Sequence, residues 1–287
     1  MPRRLSYGPG TPCWVDHITV DPTGAKRFYG DLFGWEFVKE NGRGYHLITL
    51  RGEIIGGLGP SPMGPAFGSS WNVYLASQDL ARTRDEVGRL GGRVVMGPVP
   101  AGGNGRLCLA VDPVGAAVGF WEGGSDEGVV LVDEPGALCA AELHTPAPEA
   151  AAEFYRNLYG GREQVIRSSP RGAWVPFFGV ADPVFGVADS ADSADSAGGT
   201  DPGGSAGSSG ETHATDAADR MDGMDRVVRA ARAAGARPLG AGLFADPLGA
   251  VFGLSVAPSP ATGRTTDPAI NSVIDPAAAS VTAPISG

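Results

Sequence analysis

The chain has 287 residues, 42% of them hydrophobic, which is enough for two domains that each bury a core. Its 22 basic residues against 32 acidic ones leave a formal charge of −10, which repels a phosphate backbone and excludes nucleic acid as a partner. No apolar run approaches the length of a membrane span, and no apolar leader core follows the two arginines near the start, so a cytoplasmic protein is expected.

Residues 1–10 carry no periodic pattern and are expected to form a flexible N-terminus. A first domain spans 11–124, with strands expected near 13–20, 35–39, 45–50, 54–57, 71–76, 93–96, 106–110 and 117–121. Helices are expected over about 22–33 and 79–90. The first is the clearest: Asp21-Pro22 opens it, Ala25, Phe28, Tyr29, Leu32 and Phe33 recur at helical spacing, and Gly34 ends it. After a linker at 125–136, the stripe returns in a second domain, 137–256, as Ala151, Phe154, Tyr155, Leu158 and Tyr159, followed by Gly160. Asp112-Pro-Val-Gly and Asp246-Pro-Leu-Gly are a second matched pair, each read as a tight turn into a final strand.

Strands near 138–144 and 162–168 precede Trp174, whose segment aligns with the one beginning at Trp71. Between Gly160 and Trp174 there is room for one strand, where Gly34 to Trp71 holds three. The second domain is therefore degenerate, with one open cavity expected in the molecule instead of two. Residues 188–221 contain Ala-Asp-Ser triplets and a Gly/Ser-rich run with nothing apolar to bury, so a disordered insertion is expected. Asp222 can then cap a helix carrying Met224, Val227, Val228 and Ala231, and the Ala/Pro/Thr-rich tail, 257–287, is expected to be disordered. Cys13, Cys108 and Cys139 are an odd number without metal or disulfide spacing and are expected to be buried and reduced.

Cys13-Trp14-Val15-Asp16, Asp21-Pro22, Phe28-Tyr29, Leu32-Phe33-Gly34-Trp35 and Asp112-Pro113-x-Gly115-Ala116, in this order, resemble the two-domain branch of the vicinal-oxygen-chelate superfamily, the glyoxalase, bleomycin-resistance and extradiol-dioxygenase fold. The resemblance is strong over 10–124 and weaker over 137–256. It implies an α+β fold of tandem βαβββ units whose curved mixed sheets enclose a small-molecule cavity. The family's enzymes hold a divalent ion with His or Glu on the first, fourth, fifth and eighth strands of a module. Aligned on the landmarks, those positions fall on Trp14, on the Ile54–Gly57 stretch beside Glu53, on Asn72 and on Gly119. Three of their repeat equivalents are Ala140, Val175 and Gly253. A tightly held catalytic ion needs about three suitable ligands, so no metal site and no cofactor are expected.

Strand alternation places Asp16 on the same face as Trp14, and Glu142 is its repeat partner. Buried carboxylates at equivalent positions can serve as general bases; the blander reading is that each accepts hydrogen bonds from an arginine or backbone amide. Trp14, Tyr74 and Trp121 share the inward parity, with Phe177 equivalent to Tyr74 and Trp174 to Trp71. They are read either as an aromatic box whose ligand is fixed by Asn72, Asp16 or Glu142, or as ordinary core. His17, His46, His144 and His213 form no metal-spaced cluster. Arg106 is expected to pair with Asp112. Gly203-Gly-Ser205-Ala-Gly207 matches a nucleophile-elbow pattern but has no flanking strand and helix, and is discarded.

The expected function is metal-free binding of a hydrophobic, aromatic small molecule, an antibiotic or natural-product intermediate, for sequestration, resistance or biosynthetic assistance. A cofactor-free isomerase, cyclase or lyase with Asp16 or Glu142 as base is the alternative, ahead of a metal-dependent glyoxalase or dioxygenase. The sheet edge left by the missing strands leaves a homodimer open.

Overall fold

A computed structural model describes residues 3–39, 44–62, 64, 68–101, 105–125, 127–181 and 224–257. The expected insertion at 188–221, the cap at Asp222, and the tail from 258 onward lie outside the described residues, as does the discarded Gly203–Gly207 motif.

The first half holds β1 (Pro12–Thr19), α1 (Pro22–Phe33), β2 (Glu36–Lys39), β3 (His46–Leu50), β4 (Glu53–Pro60), β5 (Ser70–Ala76), α2 (Leu80–Arg89), β6 (Arg93–Ala101), β7 (Gly105–Val111) and β8 (Ala117–Gly123). Its eight strands form one mixed sheet in the order β2-β3-β4-β1-β5-β8-β7-β6, two βαβββ units joined at β1 and β5. Local chemistry sets the helix ends. Asp21 accepts from the Gly24 amide at 2.9 Å, Pro22 opens α1, and Gly34, at φ 71°, closes it by donating its amide to the Gly30 carbonyl. Asp79 caps α2 through the Arg82 amide at 2.9 Å.

The second half holds β9 (Leu138–Thr145), α3 (Pro148–Leu158), β10 (Ile166–Ser168), β11 (Ala173–Val180), helical residues 224–233 (α4), β12 (Arg237–Gly240), β13 (Leu243–Ala245) and β14 (Val251–Val256). Six strands pair in the order β10-β9-β11-β14-β13-β12. Between α3 and β11 stands the single strand β10, parallel to β9 as β4 is to β1. The shortened unit therefore keeps the inner strand and lacks counterparts of β2 and β3.

The sheets meet through the faces opposite Asp16 and Glu142. Trp71 from β5 and Phe178 from β11 lie 5.1 Å apart between ring centroids, and Trp35, Phe33 and Phe252 complete an aromatic core between the halves. A reciprocal polar lock fixes the pairing. Tyr29 of α1 donates to Asp246 in the turn of the other half at 3.0 Å, while Tyr155 of α3 donates to Asp112 at 2.9 Å. Each tyrosine oxygen accepts a tryptophan N–H, from Trp71 and Trp174 respectively, both at 2.9 Å. The second oxygen of the lock is also matched: each aspartate's Oδ1 accepts two amides of its own turn.

Three expectations are corrected. Residues 3–10 are not loose: Tyr7 is buried and donates to the Val129 carbonyl at 2.6 Å, the Arg4 amide donates to the Val130 carbonyl, and the Gly10 amide to that of Ala76 in the first half. The expected linker packs against both halves over residues 129–133, because Val129 and Leu131 are fully buried and its backbone bonds to Cys13, Ile54 and Leu138. Arg106 pairs with Glu122, its cross-strand neighbour on β8, while Asp112 is saturated by its turn and Tyr155.

Candidate functional site

The site grows from the register of three adjacent strands. On β1, Trp14 and Asp16 project from one face; on β5, Tyr74 stands opposite Trp14 and Asn72 opposite Asp16; on β8, Gly119 pairs with Tyr74. Asp16 is 5% exposed and Tyr74 4%, so they form the floor, whereas Trp14, Asn72 and Trp121 are half-buried around them. The Trp14 and Trp121 rings are near-parallel, 17° apart in plane, with centroids separated by 6.2 Å.

The Asp16 carboxylate accepts from Asn72 Nδ2 at 2.8 Å, from the Tyr74 hydroxyl at 3.0 Å and from the Tyr45 hydroxyl at 3.5 Å. Its partners are side chains of the same face, where the blander reading expected an arginine or a backbone amide. Burial pushes its carboxyl up to about 6, against the pull of the three donors. The same burial, with the adjacent Asp16 charge, raises the Tyr74 phenol well above its ordinary range, so it stays a neutral donor.

Tyr45 is the member that sequence reasoning missed. It sits just before β3, and its ring lies over Gly57 and Gly59 of β4, where any Cβ would collide with it. Tyr74 covers Gly119 in the same way. Glycines at alternate positions of a strand otherwise rich in apolar residues mark a close approach by a neighbouring group, and that signal was available at Gly57 and Gly59.

The second half places its equivalents differently. Glu142 is bound by Arg167 of β10 through two contacts, at 3.1 and 3.3 Å, and His144 Nε2 lies 3.3 Å away, within ion-pair distance but out of line for a hydrogen bond. Burial opposes its ionisation, but His144 and Arg167 outweigh that and hold its carboxyl below the ordinary range. Phe177 stacks near His144, with centroids 6.4 Å apart, and packs with Val175 and Leu243 into a small apolar cluster that fills this face. Trp174 joins neither group. It stands an odd number of positions from Phe177, so it points to the opposite side of β11, into the interface with Tyr155. Of the expected site residues, Trp14, Asp16, Asn72, Tyr74 and Trp121 come together, while Glu142, Phe177 and Trp174 lie on the other sheet.

The donor set does not fit the divalent ion that the fold family's enzymes hold. The inward positions carry an indole at Trp14, an amide at Asn72 and no side chain at Gly119, whose space Tyr74 occupies. Asp16 is a lone carboxylate among phenols and an amide, and the described residues contain no group of three or more His, Cys, Asp or Glu placed to hold a metal. Nor does any helix among the described residues have the length and apolarity to cross a membrane.

No family model matches the chain. A Mycobacterium bovis protein with the provisional name glyoxylase CFP32 is 40% identical over 166 residues, 56% of this chain and 64% of that protein, so the match spans less than two thirds of its length. The anthracycline biosynthesis protein DnrV of Streptomyces peucetius is 30% identical over 200 residues, covering 64% of this chain and 70% of DnrV. Among solved structures, the Mn(II)-bound glyoxalase from Novosphingobium aromaticivorans superposes with a TM-score of 0.52 over 87% of this chain and 83% of its own, at 15% identity, a likeness of fold. The curled half-barrel of paired βαβββ units, its landmarks in their order, and the Streptomyces relative all agree: the chain belongs to the vicinal-oxygen-chelate superfamily, among its glyoxalase- and dioxygenase-like members.

Proposed function

We propose that the first half-barrel binds a planar, hydrophobic aromatic small molecule without a metal ion, and that the protein sequesters or hands on such a compound in natural-product chemistry. One observation carries this reading: Trp14, Tyr74 and Trp121 gather on one curved face around the buried Asp16 and its half-buried partner Asn72. Flat rings supply contact area and the polar pair fixes orientation, the usual division of labour in small-molecule sites. The relative named for anthracycline biosynthesis, a fused-ring aromatic class, supports the choice of ligand. Titration of the protein with polycyclic aromatics, read by quenching of tryptophan fluorescence, tests it. Saturable binding at micromolar concentrations, weakened about tenfold in Trp14→Ala, is expected; no binding across the panel would remove the reading. Elemental analysis of the purified protein is expected to find no stoichiometric manganese, iron or zinc.

A second reading has its own support. A carboxyl near 6 is matched to proton transfer at neutral pH, which suits Asp16 as the base of a cofactor-free isomerase, cyclase or lyase acting on the bound aromatic compound. Glu142, held ionised by His144 and Arg167, is the weaker candidate. Loss of turnover in Asp16→Asn with ligand binding retained would favour this reading over sequestration.

A further inference from the structure

The donors around Asp16 all point one way. Trp14 Nε1 donates to the Tyr45 hydroxyl at 3.3 Å, and Tyr45, Tyr74 and Asn72 then donate to the Asp16 carboxylate. A phenol has one proton to give, and Tyr74 has given it; a carboxylate offers about four lone-pair sites, and three donors use three of them. What faces the barrel is acceptor capacity: the remaining carboxylate site, the Tyr74 oxygen lone pairs and the Asn72 amide oxygen.

Among the described residues, the strands that flank Asp16 supply no opposite charge; Arg93, at inward parity on the edge strand β6, is exposed at the far side of the sheet. Following the registers outward from Asp16, the inward positions on β4, β5, β7 and β8 are small, apolar, aromatic or amide side chains, and none is a lysine or arginine. Arg106, the basic residue of β7, points away and pairs with Glu122. With its carboxyl near 6, Asp16 carries its charge at pH 7.5. A second anion beside it would meet like charge in a partly desolvated site, which is costly.

We infer that the ligand of this site presents hydrogen-bond donors, a hydroxyl or an ammonium group, to Asp16 and Tyr74 from the edge of its ring system, and that aromatic carboxylates and phosphates are rejected. This rests on the reading of the first half-barrel as an aromatic site and adds the polarity that the aromatic must carry.

Four pyrenes with one ring system separate the two claims: pyrene, 1-hydroxypyrene, 1-pyrenemethylammonium and 1-pyrenecarboxylate, titrated at pH 7.5 against the full chain. The hydroxyl and ammonium compounds are expected to bind at least about tenfold tighter than the carboxylate, and Asp16→Asn should bring the carboxylate to within about twofold of the hydroxyl compound. Tyr74→Phe keeps the ring over Gly119 and removes only the hydroxyl, so it reads the same preference if Asp16→Asn does not fold; it should shrink the hydroxyl's advantage over plain pyrene. Carboxylate binding as tight as hydroxyl binding would overturn the donor rule while leaving the aromatic site standing. Failure of all four pyrenes to bind would overturn the aromatic reading, and this inference with it.

Discussion

The curved faces of the two halves start from one register and end in different chemistry. Where the first has Asp16 among Asn72, Tyr74 and Tyr45, the second has Glu142 clamped by Arg167; where the first has Trp14 and Tyr74, the second has Ala140 and Phe177, with Val175 in place of Asn72. One face keeps a buried, elevated carboxyl and half-exposed aromatic rings, while the other is filled by side chains and neutralises its acid. The difference teaches that shortening the third unit did not simply remove a wall. The retained inner strand β10 brings Arg167 beside Glu142, where it joins His144 in silencing the second carboxylate, whereas its counterpart β4 sets Gly57 beside Asp16.

The sharpest test of this contrast is acid titration of stability, because the two carboxylates carry opposite signs. Asp16 sits near 6 when folded against an ordinary value of 3.8, so the native state holds its proton more tightly than the unfolded chain does. Its contribution is largest below pH 4 and falls by roughly 3 kcal/mol as pH rises to 6. Glu142, held below its ordinary range, contributes above that range, and its share is lost as pH falls through its folded value. Denaturant melts from pH 3 to 8 should therefore show a falling limb that Asp16→Asn abolishes and an acid-side loss that Glu142→Gln abolishes. Identical profiles for the two variants would erase the comparison.

Next in size are the paired glycines. A Cβ at Gly119 would be driven into the Tyr74 ring, and at Gly253 into the Phe177 ring. Each alanine variant should lose about 1–3 kcal/mol of stability by overpacking. Only Gly119→Ala should also lose aromatic binding, because it moves the hydroxyl that holds Asp16. A smaller effect is expected from Trp14→Ala, a loss of about tenfold in binding, or about 1.4 kcal/mol, against no change for Glu142→Gln. The smallest is Arg167→Ala: its side chain is 51% exposed, so less than about 1 kcal/mol of stability should be lost, with Glu142 titrating closer to the ordinary range by NMR.

Much of this was legible in the sequence because the signals are local. The cap at Asp21, the stop at Gly34, and the matched Asp112 and Asp246 turns fix the repeat with chemistry confined to a few residues. From those anchors, alternation alone places Trp14, Asp16, Asn72 and Tyr74 on one face. Alternation gives sidedness, but it cannot tell a face that lines a barrel from one that packs on a second sheet. Trp174 was assigned to a ligand site for that reason, although its counterpart Trp71 does the same interface work in the first half. Tyr45 was missed because its partners, Gly57, Gly59 and Asp16, come from other strands. Arg106 was matched to a nearby acid in the chain when β-pairing sets its neighbour across the ladder, Glu122. The hairpin of β12 and β13 left no readable pattern, being short and interrupted by Pro238 and Gly240.

The exchange of tyrosines between the halves bears on why a half with a filled face persists at all. Separated, each half would keep a turn aspartate whose outer oxygen had lost its phenol, and on one side also the imidazole of His17, which lies 3.0 Å from Asp246. Each hydrogen bond to a charged group lost in this way removes about 1.5–3 kcal/mol, before any exposed aromatic surface is counted. The second half is thus the counterpart against which the first one closes, and neither should be expected to stand as an independent module.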